Sequence, residues 1–353
     1  MGDVLAVIGG PSRVDAAEPP VVVLRALGLG DLLTGVPALR GLRRAFGGRR
    51  LVLAAAHPAA AWLRDLGLVD DVLPVTGADV VAGLTGALSA ELPAGCVAVN
   101  LHGSGPQSHR FLQAARPSRL RAYGCAPAGV EGPAWDAAEH EVLRWCRLVG
   151  AATGASCGVE DLLLHEALGA SPRPSPAVAR PGGRWVVVHP GAASPARQWP
   201  LERWAALTRA LATTHRVLVT AGPGEDLVAH EVALRAGLHD PLAVRTGQSL
   251  PGLAATVAAA SLLVSADTGV AHLANALDVP SVTIFGPTPP DRWRSLLHPQ
   301  RHAVVYRGDG TQRPSAPEHD GVAGPDVTML AVRVEDVLTA AVGVHGQGVP
   351  RSA

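Results

Sequence analysis

The sequence predicts an α/β protein made of two parallel-sheet domains in series. Three observations carry the prediction. Short apolar runs alternate with longer segments of helical period, which is the pattern of βαβ units. A length of 353 residues suits two domains better than one. The alternation breaks once, at the Pro- and Gly-dense stretch GASPRPSPAVARPGGR over residues 169–184, and then restarts. The expected division is a first domain over 1–168, a linker over 169–184 and a second domain over 185–353.

In the first domain, Val21-Val22-Val23-Leu24 reads as a buried strand that runs into Gly28-Leu29-Gly30-Asp31 and a helix from Leu32 to Phe46. Leu51 to Ala55, Asp71 to Val75 and Val97 to Leu101 read as the next strands, with a helical pattern near Ala59 to Leu66. Over 136–150 the apolar positions Ala138, Val142, Trp145, Cys146 and Val149 keep helical spacing. In the second domain, strands are expected at 185–188, 217–219, 262–264 and 281–285. Helices are expected from Leu201 to Ala212, His272 to Leu277 and Val334 to Val342, the last packing back on the first domain. Residues 307–326 read as a mobile loop and 343–353 as a disordered tail.

Composition narrows the function. Hydrophobic residues make up 48% of the chain but aromatics only 3%, so Ala, Val and Leu must build the core. The formal net charge is zero, which argues against a nucleic-acid groove. Lys is absent from the sequence, so every cationic clamp must use Arg. That excludes a Lys Schiff base and a P-loop. Cys96, Cys125, Cys146 and Cys157 form no C-x-x-C pair, against a zinc site or a disulfide framework. The apolar run from Val4 to Ile8 is too short for a signal peptide. No stretch of about 18 apolar residues occurs, so membrane contact is expected to be peripheral at most and the protein cytoplasmic.

Ligands of open parallel sheets sit beyond the carboxyl ends of the strands, and two such domains predict a cleft that binds them. Four motifs fall at strand ends. The first is Leu27-Gly28-Leu29-Gly30-Asp31. Its glycines allow a tight turn and close approach of a ligand. Position 33, where a dinucleotide fingerprint needs a third glycine, is Leu, which argues against an NAD-dependent oxidoreductase. Asp31 reads either as a helix N-cap or as a general base. The second motif runs from His189 to Pro200, with Arg197 after a small-residue loop. Backbone N–H groups and a guanidinium there suit phosphate oxygens. The third is Gly222-Pro223-Gly224-Glu225, whose carboxylate suits ribose hydroxyls or a cap. The fourth is Ser265-Ala266-Asp267-Thr268-Gly269-Val270-Ala271-His272, a strand end leading into a helix N-terminus. His272 fits equally a satisfied core histidine. There is no D-x-D, so a metal-bridged diphosphate is not expected.

Together GLGDLLTGVPALRGLR, HPGAASPARQWPLERW and SADTGVAHLANALDVPSVTIFGPT resemble glycosyltransferase family 9, the heptosyltransferase-like enzymes. WDAAEHEVLRWCRLVGA resembles the family's helix ahead of the linker, and the likeness spans residues 21–290. The resemblance implies a GT-B fold, two Rossmann-like domains facing a central cleft. It implies inverting, metal-independent transfer of a heptose or related sugar from an ADP-sugar to an acceptor hydroxyl, with no cofactor. The acceptor would be a glycan, a glycolipid or a small molecule. By position, Asp31 matches the catalytic base and Arg197 the basic residue beside the donor diphosphate. Ser194 is the one hydroxyl left ahead of it, since Ala192-Ala193 stand where the family often carries a hydroxyl pair. Glu225 matches a ribose contact, Gln248 and Ser249 the adenine-side wall, and Asp267, Thr268, Gly269 and His272 the donor signature. Gly28, Gly30, His102, Ser104 and Arg110, with Gln107 and His109 nearby, are the acceptor-side candidates. Two other readings stay open: a sugar-nucleotide epimerase of similar architecture, and a non-catalytic nucleotide-binding protein.

Overall fold

The computed structural model describes residues 18–82, 93–164, 167–168, 185–309 and 324–346. The predicted linker over 169–184, most of the expected loop over 307–326 and residues 347–353 of the expected tail lie outside the described residues.

The first sheet contains β1 (Val21–Leu24), β2 (Leu51–Ala55), β3 (Asp71–Pro74), β4 (Val97–Asn100) and β5 (Arg119–Arg121). Their order is β3-β2-β1-β4-β5 and every pairing is parallel. The central place of β1 accounts for its sequence. All four side chains are buried, because a strand covered on both faces has no polar side to alternate. The second sheet contains β6 (Trp185–His189), β7 (Arg216–Thr220), β8 (Val244–Arg245), β9 (Leu262–Ala266), β10 (Ser281–Ile284) and β11 (His302–Val305). It too is wholly parallel, in the order β11-β10-β9-β6-β7-β8. Two parallel α/β units are thus observed, as predicted.

The units are not continuous in sequence. One holds the residues up to Leu27, Gly35–Ala137 and Val142–Gly158. The other holds Gly28–Thr34, Ala138–Glu141 and the chain from Val159 onward. The expected boundary at 168 therefore comes earlier, and Leu164 already donates its N–H to the Ala276 carbonyl at 2.8 Å. The short helix that carries Asp31 also belongs to the second unit.

Three further differences have physical causes. The single helix expected from Leu32 to Phe46 is two, Leu29–Thr34 and Val36–Ala45. Pro37 lies in the first turn of the second, where its missing N–H costs nothing, but it could not sit inside one long helix. The last helix, Val334–Gly346, runs beyond the expected end at Val342. The surface it was expected to cover is also different. Its stripe Val337, Ala341 and Val344 is buried in the second unit's own core, with Val264 of β9 and Ile284 of β10. That core also holds Trp199 and Trp204, edge to face at 4.9 Å, and Trp199 Nε1 donates to the Val332 carbonyl at 3.1 Å.

Candidate functional site

The first predicted motif begins where β1 gives way to the Leu29–Thr34 helix. Asp31 is the third residue of that helix, so it is not the N-cap, and Thr34 Oγ1 donates to its carbonyl at 2.8 Å. The helix lies against a second one, Gly269–Ala276, which opens the fourth motif. Two glycines make the approach possible. A Cβ on Gly30 would lie 2.6 Å from His272 Cδ2, and one on Gly269 would lie 2.9 Å from Leu29 Cβ. Real carbon contacts are about 3.5–4.0 Å. The space beside Gly30 is therefore taken by the His272 imidazole rather than left open for an acceptor. Gly28 is less crowded: a Cβ there would meet only Asp31 Oδ2, at 3.8 Å.

The β6–β9 register places His189 opposite Ser265, so the second and fourth motifs leave the sheet on the same edge. There Arg197 donates from its guanidinium to the Asp267 carbonyl at 3.2 Å. Ser194 precedes the turn that carries Arg197 and accepts the Arg197 N–H on its carbonyl at 3.0 Å. Asp267 is buried and its Oδ1 lies 3.4 Å from His272 Nε2. Trp293 sets its ring edge against His272, with centroids 5.7 Å apart. Thr268 holds an extended backbone just before the helix starts at Gly269. Its hydroxyl is buried and has no partner among the described residues. The result is a guanidinium, a hydroxyl with bonding capacity to spare and the positive end of a helix, gathered by residues 70 apart in sequence.

The third motif forms a second cluster on the neighbouring strand end. Glu225 Oε2 accepts the Gly222 N–H at 2.9 Å and lies 3.6 Å from His189 Nε2. His189 Nδ1 meets Thr220 Oγ1 at 2.9 Å. Burial raises the Glu225 carboxyl above its usual range and pushes His189 down to about 4, so the imidazole is neutral near pH 7. Glu225 does not cap the helix that follows it; it caps the turn at Gly222. His189 stood in the second motif without a role of its own. Its place at the end of β6 was the one signal that could have singled it out.

Gln248 and Ser249 lie further along. Ser249 is the N-cap of the Leu250–Ala258 helix, its Oγ accepting the Gly252 N–H at 3.3 Å. Gln248 Nε2 donates to Thr256 Oγ1 at 2.7 Å and to the Gly252 carbonyl at 3.3 Å, while its Oε1 is buried without a partner among the described residues. The remaining candidates belong to the first unit. His102 Nδ1 accepts the Ala26 N–H at 3.2 Å and so ties down the turn after β1. Burial, with help from the buried Arg25 guanidinium, lowers its pKa to about 4. Arg110 is exposed and reaches the Pro127 carbonyl at 2.9 Å. His109 is buried between Asn100 and the Tyr123 carbonyl, which is a core role. Ser104 is half-buried in the loop after β4. No group of three or more His, Cys, Asp or Glu suited to a metal occurs among the described residues. No helix among them is long and apolar enough to cross a membrane.

A family model, glycosyltransferase family 9 (heptosyltransferase), matches residues 133–316, more than half of the chain. Among curated proteins, lipopolysaccharide heptosyltransferase 1 of Pseudomonas aeruginosa is 37% identical over 114 residues, 32% of this chain and 31% of that protein. Lipopolysaccharide heptosyltransferase 1 of Escherichia coli K12 is 38% identical over 96 residues, 27% of this chain and 29% of that protein. The chain thus aligns with about a third of the length of these relatives. Among solved structures, a glycosyl transferase family 9 protein from Veillonella parvula superposes with a TM-score of 0.71 at 17% identity, covering 94% of this chain and 98% of that one. ADP-heptose lipopolysaccharide heptosyltransferase II of E. coli gives 0.64 at 18% identity, covering 93% and 99%. At such identities the likeness shows the fold, which is GT-B.

Proposed function

The chain belongs to glycosyltransferase family 9, and from that premise we propose that it transfers a heptose or related sugar from an ADP-sugar to an acceptor hydroxyl, with inversion and without a metal ion. The observation that carries the reading is the meeting of Arg197 with the Asp267–Gly269 turn. A diphosphate leaving group develops negative charge as its bond to the sugar breaks. A guanidinium and a helix N-terminus fixed beforehand offset that charge with no reorganisation during the reaction. The donor's diphosphate binds here, facing Arg197, the Thr268 hydroxyl and the N–H groups at Gly269. The ribose lies toward Glu225 and the base toward Gln248.

Asp31 then acts as the general base. A carboxylate takes the proton of the acceptor hydroxyl as oxygen attacks the anomeric carbon, and a single displacement through an oxocarbenium-like state inverts that centre. The Asp31 helix packs on the helix that receives the diphosphate, so the base is held relative to the donor by the Gly30–His272 contact. The acceptor is a glycan, a glycolipid or a small hydroxylated molecule, and the reaction takes place in the cytoplasm, where nucleotide sugars are made. The test is a transfer assay with ADP-heptose, other ADP-sugars and UDP-sugars, read as nucleotide release with and without EDTA. Release of ADP dependent on acceptor and unchanged by EDTA is expected. A preference for UDP-sugars would overturn the donor assignment, and loss of turnover in EDTA would overturn the metal-free mechanism.

A further inference from the structure

The Glu225 carboxylate sits in a more elaborate seat than a turn cap requires. Oε2 takes the Gly222 N–H at 2.9 Å and faces His189 Nε2 at 3.6 Å. A Cβ on Gly191 would fall 1.9 Å from that oxygen and 2.6 Å from Oε1. A Cβ on Gly222 would fall 2.8 Å from Oε2. Two glycines, on the loops after β6 and β7, therefore clear the volume that the carboxylate fills. Behind it His189 is buried, with Nδ1 at 2.9 Å from the Thr220 hydroxyl. If that hydroxyl donates to Nδ1, the ring proton of the neutral imidazole lies on Nε2 and points at Oε2. Oε1 has no hydrogen-bond partner among the described residues. Capping one turn needs one oxygen and an exposed Glu. Here a half-buried carboxylate faces two groups, the Gly222 N–H and the His189 imidazole, in a volume cleared by two glycines, and keeps its second oxygen unused.

We propose that His189, set by Thr220, is a positioning residue that holds the Glu225 carboxylate so that Oε1 accepts from a ribose hydroxyl of the bound nucleotide. The inference rests on the proposed function, in which Glu225 meets the ribose. It adds the residues that make the carboxylate a reader of that sugar. A carboxylate free to rotate would accept from water or from either nucleotide with little preference. A fixed acceptor loses its bond when the hydroxyl is missing and is left desolvated, so discrimination depends on its being held.

Calorimetric titration of the whole protein with ADP, 2′-deoxy-ADP and 3′-deoxy-ADP tests this. Wild type is expected to bind ADP ~10-fold more tightly than one of the deoxy forms, the size of one hydrogen bond to a charged group. His189→Leu should bring that ratio near one, with circular dichroism confirming the fold. Thr220→Val, a milder change that leaves the imidazole in place, should move the ratio the same way by less. His189→Asn, which restores an N–H donor, should recover part of it. If Glu225→Gln abolishes the discrimination but His189→Leu and Thr220→Val keep it, the positioning role is refuted and the ribose contact stands. If Glu225→Gln keeps it too, the ribose contact itself is wrong. If wild type does not bind ADP, both fall with the donor assignment.

Discussion

Replacing Gly30 by Ala tests whether the contact between the two short helices is what sets the site. The added methyl would lie 2.6 Å from His272 Cδ2 and 3.3 Å from Nε2. Relief to an ordinary carbon contact requires a displacement of about 1 Å. The imidazole is flanked by Trp293, edge-on with centroids 5.7 Å apart, and by Asp267 Oδ1, 3.4 Å from Nε2, so its retreat disturbs both. Parting the two backbones would open the contact between Leu29 and Gly269 and lose its packing. Overpacking of this kind costs about 1–3 kcal/mol, and replacing a helical glycine returns about 0.5–1 kcal/mol. The expected net loss is up to about 2.5 kcal/mol, centred near 1, a fall in melting temperature of roughly 2–4 °C per kcal/mol for a unit of this size.

Gly28→Ala is the matched control. Its methyl would meet nothing nearer than Asp31 Oδ2 at 3.8 Å, an ordinary contact. Stability should stay within about 0.5 kcal/mol of wild type. Urea unfolding and thermal melts of both variants measure the difference, and calorimetry with ADP measures its consequence. Gly30→Ala should weaken ADP binding because the shifted His272 displaces Asp267, whose carbonyl anchors Arg197. A Gly30→Ala protein as stable as wild type and with the same ADP affinity would refute the claim that this packing fixes the donor side.

Three more outcomes follow from the same geometry. Asp31→Asn should lower kcat by about 10²–10⁴ while ADP affinity stays near wild type, since a general base acts on the acceptor and not on nucleotide binding; near-normal turnover would remove it from that role. Ser249→Ala should cost about 1 kcal/mol in urea unfolding through loss of the helix cap and leave ADP affinity unchanged, whereas a large rise in Kd would restore Ser249 to the nucleotide wall. Stability should fall as pH drops from about 6.5 toward 4: His189, with a pKa of about 4, stays neutral in the fold while the unfolded chain takes up the proton, a slope of up to about 1.4 kcal/mol per pH unit. His102, also lowered to about 4, adds a comparable part, so His189→Asn should flatten the curve by about half; a profile that is level between pH 6.5 and 4.5 would contradict the burial of the neutral imidazoles.

What the sequence reveals of the fold depends on where each residue sits in the sheets. Seven of the eight legible strands are central, covered on both faces and read as apolar runs, as Val21–Leu24 does; the eighth, β3, is an edge strand legible from Val72 and Leu73 alone. The three that were missed, β5, β8 and β11, are all sheet edges. Arg119–Arg121 is half-exposed and charged, Val244–Arg245 is two residues long, and His302–Val305 opens on a buried histidine bonded to Ser281. An edge strand is short and polar for the same reason that it resists aggregation, so the apolar signal is weakest there. The last helix was misplaced for a different reason. Its apolar stripe is evident in the sequence, but a stripe states that a face is buried, not which sheet buries it.

The polar candidates were harder, because a strand end needs acceptors and donors for its own backbone whether or not a ligand binds. Sequence position alone cannot separate the two uses, and the bonds each candidate makes inside the fold bear on the choice. His109 and Ser249 have their bonds inside the fold: a histidine held between Asn100 and a carbonyl, and a cap on a helix. Thr268 Oγ1 and Gln248 Oε1 are buried and unbonded among the described residues, and Glu225 uses one carboxylate oxygen of two. A buried acceptor or hydroxyl left unmade costs about 1–3 kcal/mol, so such groups persist where something else completes them. Thr268, Gln248 and Glu225 follow three different strands of one sheet, and a nucleotide sugar presents hydroxyls, a base edge and phosphate oxygens in one molecule. Under the proposed function these are the groups whose bonds the donor would complete. Trp204 Nε1 and Thr208 Oγ1 on the Leu201–Ala212 helix are equally unbonded among the described residues, so an unmet bond marks a ligand only where it coincides with a strand end.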